Sequence, residues 1–70
     1  MKGDVEFFKL TDRELDVLKL VAQGFTAGEI ATSLGNKERT VRNQMESVRL
    51  KLRAHNSAHA VAIAKDRGLI

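Results

Sequence analysis

The fold is decided by the stretch from Phe25 to Gln44, FTAGEIATSLGNKERTVRNQ. Thr26 is followed three residues later by Glu29, the spacing of a capping box, in which each side chain accepts a hydrogen bond from the other residue's backbone N–H. Gly35 is suited to end this short helix in the left-handed conformation. A second helix follows after a tight turn, and it carries Arg and Asn side chains. The stretch therefore predicts a helix-turn-helix, whose second helix fits the major groove of DNA and can bond to base edges.

The same start signal precedes this unit. Thr11 and Glu14 form a second predicted capping box, with Leu10 placed to pack on Leu15 as a hydrophobic staple. Gly24 supplies a left-handed end to this first helix. The apolar residues that continue the helix, at helical spacing, are Leu15, Leu18, Val21 and Ala22.

The third helix is predicted from about Glu38 to Leu52. Its apolar residues, which fall on one side at helical spacing, are Val41, Met45, Val48 and Leu52. The opposite, charged side carries Arg39, Arg42, Asn43, Glu46, Arg49 and Arg53. Leu50 lies near that side, and the pattern assigns it no role. A fourth helix is predicted to begin at a Ser57 cap and to end at Gly68, giving an all-α, four-helix domain with a central helix-turn-helix.

Composition limits the chain to one small domain. It has 70 residues, 43% of them hydrophobic and 30% charged, with a net charge of +3. The positive charge is concentrated: residues 36–53 hold six Lys and Arg against two Asp and Glu, whereas residues 1–35 hold four against six. The basic surplus thus lies on the predicted third helix, as nucleic-acid binding requires. Residues 1–9 are predicted to form an N-terminal arm with Phe7 and Phe8 as its anchors, and residues 10–70 the domain.

Several other classes of protein are disfavoured. The chain has no Cys, which excludes disulfides and thiolate metal sites, and no apolar run approaches the ~20 residues that span a bilayer. A cytoplasmic location is therefore expected. His55 and His59 are four residues apart, but no carboxylate is placed to complete a metal site with them. Ser57 lacks an orienting acid for nucleophilic catalysis. We expect no metal, cofactor, small-molecule ligand or enzymatic activity in this domain.

Together these residues closely resemble the LuxR/FixJ/GerE-type DNA-binding domain of bacterial transcription regulators. The resemblance covers residues 10–70, and it rests on the combination of three motifs at fixed spacing. These motifs are LTxRE at 10–14, TxxEIA at 26–31 and TVRN at 40–43.

The resemblance implies a domain that dimerises through its last helix and places its third helix in the major groove. Carried over by position, the residues facing base edges would be Arg42, Asn43 and Glu46. Those facing the sugar-phosphate backbone would be Thr26, Thr40, Gln44 and Lys51. Arg53, near Lys51 at the end of the third helix, is also expected to neutralise phosphate. The dimer surface on the fourth helix would comprise Ala58, Val61, Ala62 and Lys65, a patch small enough that the dimer should be weak without DNA. A place in the core is the alternative for Val61, Ala62 and Lys65.

Three departures from the family pattern affect this interpretation. Asn36 and Lys37 replace an apolar residue and a Ser or Thr cap, and Asn36 is the preferred cap because Asn caps helices well and Lys does not. Gln44 replaces a usual His. Glu46 places a carboxylate in the groove, where phosphates repel it unless it accepts from a cytosine amino group.

The sequence therefore predicts the sequence-specific DNA-binding domain of a bacterial transcription regulator, acting as a homodimer on an inverted repeat, with RNA polymerase as a further candidate partner. Two alternatives remain open. One is a protein-interaction module that heterodimerises with a full-length regulator and blocks it. The other is a sigma-factor-like helix-turn-helix that docks on polymerase.

Overall fold

The computed structural model describes residues 9–70, which form four α-helices and no strand within that range. The helices are α1 (Asp12–Ala22), α2 (Ala27–Leu34), α3 (Glu38–Lys51) and α4 (Ser57–Asp66). The all-α, four-helix prediction is confirmed. None of these helices is long and apolar enough to cross a membrane. The predicted arm falls almost entirely on residues 1–8, which lie outside the described part of the chain.

Both predicted capping boxes are present. The Thr11 N–H donates to Glu14 Oε1 at 2.8 Å, and the Glu14 N–H donates to the Thr11 hydroxyl at 3.1 Å. Thr26 and Glu29 repeat the arrangement at 2.8 and 3.2 Å. Each box satisfies two backbone N–H groups that the first helical turn leaves without partners. These contacts fix where α1 and α2 begin.

All four helices end in the same way. After each last turn one residue takes a left-handed conformation, and the next backbone N–H donates to a carbonyl five residues back. In three helices the left-handed residue is Gly, as predicted for Gly24, Gly35 and Gly68. At the end of α3 it is Arg53, with φ of 56°, a conformation that a side chain makes unfavourable.

Two predicted helix caps are wrong by one residue each. The N-cap of α3 is Lys37, with no side-chain cap bond. Asn36 belongs to the end of α2, where its N–H donates to the Ala31 carbonyl at 2.9 Å. The N-cap of α4 is Asn56, whose side chain accepts from the His59 N–H at 2.8 Å. Ser57 is instead the first residue of that helix.

The core consists of two clusters joined by Met45. The first, between α1, α2 and α3, contains Val17, Ile30, Ala31 and Val41. The second, between α1, α3 and α4, contains Leu10, Leu18, Val48, Leu52, Ala54, Ala60 and Ala64. Met45 packs against both clusters. Since α3 contributes to both, its apolar face is held on two sides and its charged face is directed outward.

A buried carboxylate connects α1 to α3. Glu14 is only 6% exposed, and besides its capping bond it accepts from Ser47 Oγ at 2.6 Å and from Lys51 Nζ at 2.8 Å. Burial alone would raise the pKa of Glu14, but the hydrogen bonds from Lys51, Ser47 and Thr11 outweigh it and lower the pKa from 4.5 to about 2. The charged form is therefore the form that the fold stabilises.

Replacing this carboxylate should destabilise the domain and change its acid sensitivity. A folded pKa of about 2 against 4.5 contributes about 3 kcal/mol above pH 4.5, and this stability is lost as the pH falls toward 2. We expect Glu14→Gln to lower the free energy of unfolding at pH 7 by about 2–4 kcal/mol and to flatten its dependence on pH between 4.5 and 2. Urea unfolding followed by circular dichroism measures both effects. Asp16→Asn, which removes an exposed carboxylate of α1, is the control and should change the free energy of unfolding at pH 7 by less than about 0.5 kcal/mol. Equal slopes in Glu14→Gln and wild type would contradict the assignment.

The uncapped start of α3 gives a second prediction. Lys37→Ser supplies a hydroxyl at the N-cap and removes a positive charge from the positive end of the helix dipole. We expect the free energy of unfolding to rise by about 0.5–1 kcal/mol. Asn36→Ala is the matched control: residue 36 belongs to the end of α2, so removing its side-chain acceptor should change the free energy of unfolding little. A loss of about 1 kcal/mol in Asn36→Ala would place the cap where the sequence pattern put it.

Candidate nucleic-acid interface

The candidate interface is the outward face of α3. The side chains of Arg39, Arg42, Asn43 and Glu46 are exposed there, while Val41 and Val48 on the other side are buried. The side chain of Arg42 is 67% exposed. The three residues predicted to face base edges thus lie on one accessible face.

Arg42 is held by a carboxylate of its own helix. Its Nε donates to Glu38 Oε2 at 3.0 Å, and its Nη2 donates to the same oxygen. A guanidinium has five N–H donors, so the Nη1 donors and one Nη2 donor remain outside this contact. Glu38 therefore orients Arg42 and leaves N–H donors of its guanidinium available for a further contact.

Glu46 is neutralised by Arg49. Arg49 donates to both Glu46 oxygens, from Nε at 3.0 Å and from Nη2 at 2.6 Å, and its Nη1 donates to the Ala54 carbonyl at 3.1 Å. The hydrogen bond from Arg49 lowers the pKa of Glu46, and the same bond raises that of Arg49. The carboxylate of Glu46, which phosphates would repel in a DNA groove, thus carries its own counter-ion.

The residues predicted to face phosphate differ in their exposure and in whether their charge is already paired. Thr26 and Arg53 are exposed at the start of α2 and the end of α3, and Thr40 is half-buried in the first turn of α3. Lys51 is also half-buried, and its ammonium is bonded to Glu14. A contact from Lys51 to DNA would therefore come from a charge that already has a counter-ion.

Gln44 is the one residue of the set with an unmet hydrogen-bonding requirement. Its amide oxygen is fully buried and has no donor among the described residues. A buried acceptor without a donor costs about 1–3 kcal/mol, which a core position would normally avoid. The amide oxygen of Gln44 is thus directed inward.

The predicted dimer residues do not all lie on the surface. Ala58, Ala62 and Lys65 are exposed on α4, whereas Val61 is half-buried and packs against the second core cluster. The outer stripe of α4 is therefore formed by the two alanines and the lysine, with Val61 at its edge.

The histidine pair has a local structural explanation. The rings of His55 and His59 stack with their centroids 5.0 Å apart, and His59 Nδ1 accepts from the His55 N–H at 3.0 Å. Within residues 9–70 no group of three or more His, Cys, Asp or Glu could hold a metal ion.

Sequence reasoning missed two features of this face. The first is the two ion pairs within α3, Glu38–Arg42 and Glu46–Arg49. Their i,i+4 and i,i+3 spacing in the sequence could have predicted them. The second is a groove of about 370 Å³ beside α3, lined by Phe25, Ile30 and Met45 and rimmed by Arg42, Glu46 and Arg49. Phe25 is 44% exposed, and no local pattern distinguishes such a residue from a core aromatic. Leu50 is 60% exposed and therefore does not belong to the core.

Four helices with a charged third helix held outward by the other three define a helix-turn-helix domain. A model of the family described as bacterial regulatory proteins, luxR family, matches residues 9–64. The chain belongs to this family, and the resemblance stated from the sequence is confirmed.

Similar proteins agree with this assignment. The chain is 40% identical over 70 residues to the transcriptional regulatory protein YdfI of Bacillus subtilis, covering all of this chain and 33% of YdfI. It is 44% identical over 59 residues to DesR of the same species, covering 84% of this chain and 30% of DesR. With the transcriptional activator RamA of Corynebacterium glutamicum it shares 44% identity over 62 residues, covering 89% of this chain and 22% of RamA. The chain thus spans about a third or less of the length of these relatives.

Proposed function

We infer that the domain binds specific DNA sequences for a transcription regulator in the cytoplasm, as a dimer on inverted-repeat sites. The observation that carries this proposal is the exposure of Arg42 and Asn43 together on the outward face of α3, whose inward face is fixed in both core clusters. Arg suits the paired acceptors of guanine, and Asn suits the acceptor and donor of adenine. Glu46, restrained by Arg49, is proposed as a third base contact, to a cytosine amino group.

Backbone contacts are proposed at both ends of the helix-turn-helix. Thr26, Thr40 and Gln44 would donate to phosphate or sugar oxygens, and Arg53 would add a charge at the end of α3. In support, Arg53 occupies a left-handed position that the other three helices give to Gly, and unfavourable backbone conformations concentrate at functional positions. Lys51 is proposed as a weaker phosphate contact, since Glu14 already neutralises it. These contacts would supply most of the affinity, and the base contacts the specificity.

Dimerisation is proposed to occur through the outer stripe of α4. Small side chains at Ala58 and Ala62 allow two such helices to approach closely across a two-fold axis, and a two-fold dimer matches an inverted repeat. The stripe is short, so we expect a monomer in free solution and cooperative pairing on DNA. RNA polymerase is a proposed partner of the regulator at promoters.

The reading role of Arg42 is tested by selecting bound sequences from random duplex DNA, for the wild type and for Arg42→Ala. The wild type should enrich an inverted repeat. The variant should lose about 1–3 kcal/mol of specific binding and relax the preference at one position of each half-site. Equal weakening of all sequences would make Arg42 a phosphate contact. If the folded wild type enriched no sequence, the domain would instead act as the protein-interaction module that blocks another regulator.

The dimer surface is tested by Ala62→Asp, since Ala62 is exposed and can be charged without entering the core. The variant should keep its helical circular dichroism but bind DNA as independent single copies, because two buried carboxylates would face each other across the axis. Gel shifts at increasing protein concentration count the bound copies. Asp66→Asn, at an exposed residue of the same helix, is the control and should pair normally. Cooperative pairing by folded Ala62→Asp would place the interface elsewhere.

A further inference from the structure

We propose that Glu38 is a positioning residue for base reading: it presents Arg42 to guanine and keeps that guanidinium from phosphates. The inference rests on the proposed function, which makes Arg42 a base contact, and adds a residue that neither the sequence pattern nor the family assignment singled out. Its basis is the side-on geometry of the Glu38–Arg42 pair together with the contact of Glu38 with α2.

The geometry leaves the reading edge of Arg42 accessible. Glu38 takes the Nε side of the guanidinium through a single oxygen, Oε2. The opposite edge, formed by Nη1 and the second Nη2 hydrogen, is the fork that can donate in parallel to O6 and N7 of guanine. A carboxylate bound end-on would have covered that fork.

The carboxylate also lies close to the start of α2. A Cβ atom built on Gly28 would lie 3.3 Å from Glu38 Oε1, so the first turn of α2 lies directly against this group and the absence of a side chain at residue 28 makes room for it. The positive end of the α2 dipole also favours a negative charge there. Glu38 therefore connects the start of α2 to the reading side chain of α3.

The Glu38–Arg42 ion pair affects the specificity of DNA binding more than the stability of the fold. The side chains of Glu38 and Arg42 are 50% and 67% exposed, and an exposed i,i+4 pair adds little to stability. In a DNA groove water is displaced, which strengthens the pair. A nearby carboxylate repels the full negative charge of a phosphate more strongly than the partial charges on the acceptors of guanine, so it penalises binding through phosphate alone more than binding through the base contact.

The experiment compares the wild type with two substitutions, on a duplex carrying the selected site and on a scrambled duplex, by fluorescence anisotropy at several salt concentrations. Glu38→Gln keeps the shape but removes the charge. It should bind the scrambled duplex more tightly, with a steeper salt dependence, and lower the ratio of specific to non-specific affinity about tenfold, within the range of one bidentate base contact. Glu38→Asp keeps the charge but is too short to span one helical turn. It should lower the ratio similarly without strengthening non-specific binding.

Two controls separate a positioning role from a general charge effect. Asp16→Asn makes the same change in net charge away from α3 and should leave the ratio unchanged. In an Arg42→Ala background, Glu38→Gln should also leave the ratio unchanged, because the residue it positions is gone. The role of Glu38 would be overturned if the ratio were unaffected by both substitutions, or fell equally in the Arg42→Ala background. A wild-type domain that bound both duplexes equally would overturn the proposed function itself.

Discussion

The buried carboxylate of Glu14 is the contact on which the orientation of α3 depends. A charge that is 6% exposed must be matched by donors, and those donors are the Thr11 N–H on one side and Ser47 and Lys51 of α3 on the other. Apolar packing in the two clusters turns one face of α3 inward, but such packing is not directional. Hydrogen bonds of 2.6 and 2.8 Å to one carboxylate add a directional restraint on how α3 lies against α1. The placement of the outward face of α3 therefore depends on a polar contact in the interior as well as on apolar packing.

The local parts of the fold could be predicted from the sequence because they depend on residues three to five positions apart. Both capping boxes and the Gly-terminated helix ends are of this kind, and they are confirmed. The two wrong caps, at Asn36 and Ser57, lie one residue from the positions that the folded backbone uses, Lys37 and Asn56. The partners of Glu14 lie 33 and 37 positions away in the chain. No periodicity connects residues so far apart, so this contact required the folded structure.

For the candidate site, helical periodicity was sufficient to find the exposed face of α3, while the roles of individual residues came from the family resemblance and stay predictions. Periodicity assigns a residue to a face but does not show what its side chain binds. The structure shows these side-chain contacts. Arg42 and Arg49 are each engaged by a carboxylate of the same helix, and Lys51 is engaged by Glu14. Glu38 and Glu46 are already counted in the charge of residues 36–53, so only the pairing of Lys51 with Glu14 lowers the net positive charge that this segment presents to a polyanion, by one.

The inner and outer sides of α4 differ in which substitutions they can accept. Its inner side is made of alanines, and Ala60 and Ala64 are completely buried against the second core cluster. Methyl groups bring the backbone of α4 close to the core, so a larger residue at either position has no space to occupy. The outer side bears no such restriction. Mutations can therefore accumulate on the outer side and change which surface α4 offers to another molecule, while the helix keeps its position. In evolutionary terms, the partner of this domain can change without any change in its fold.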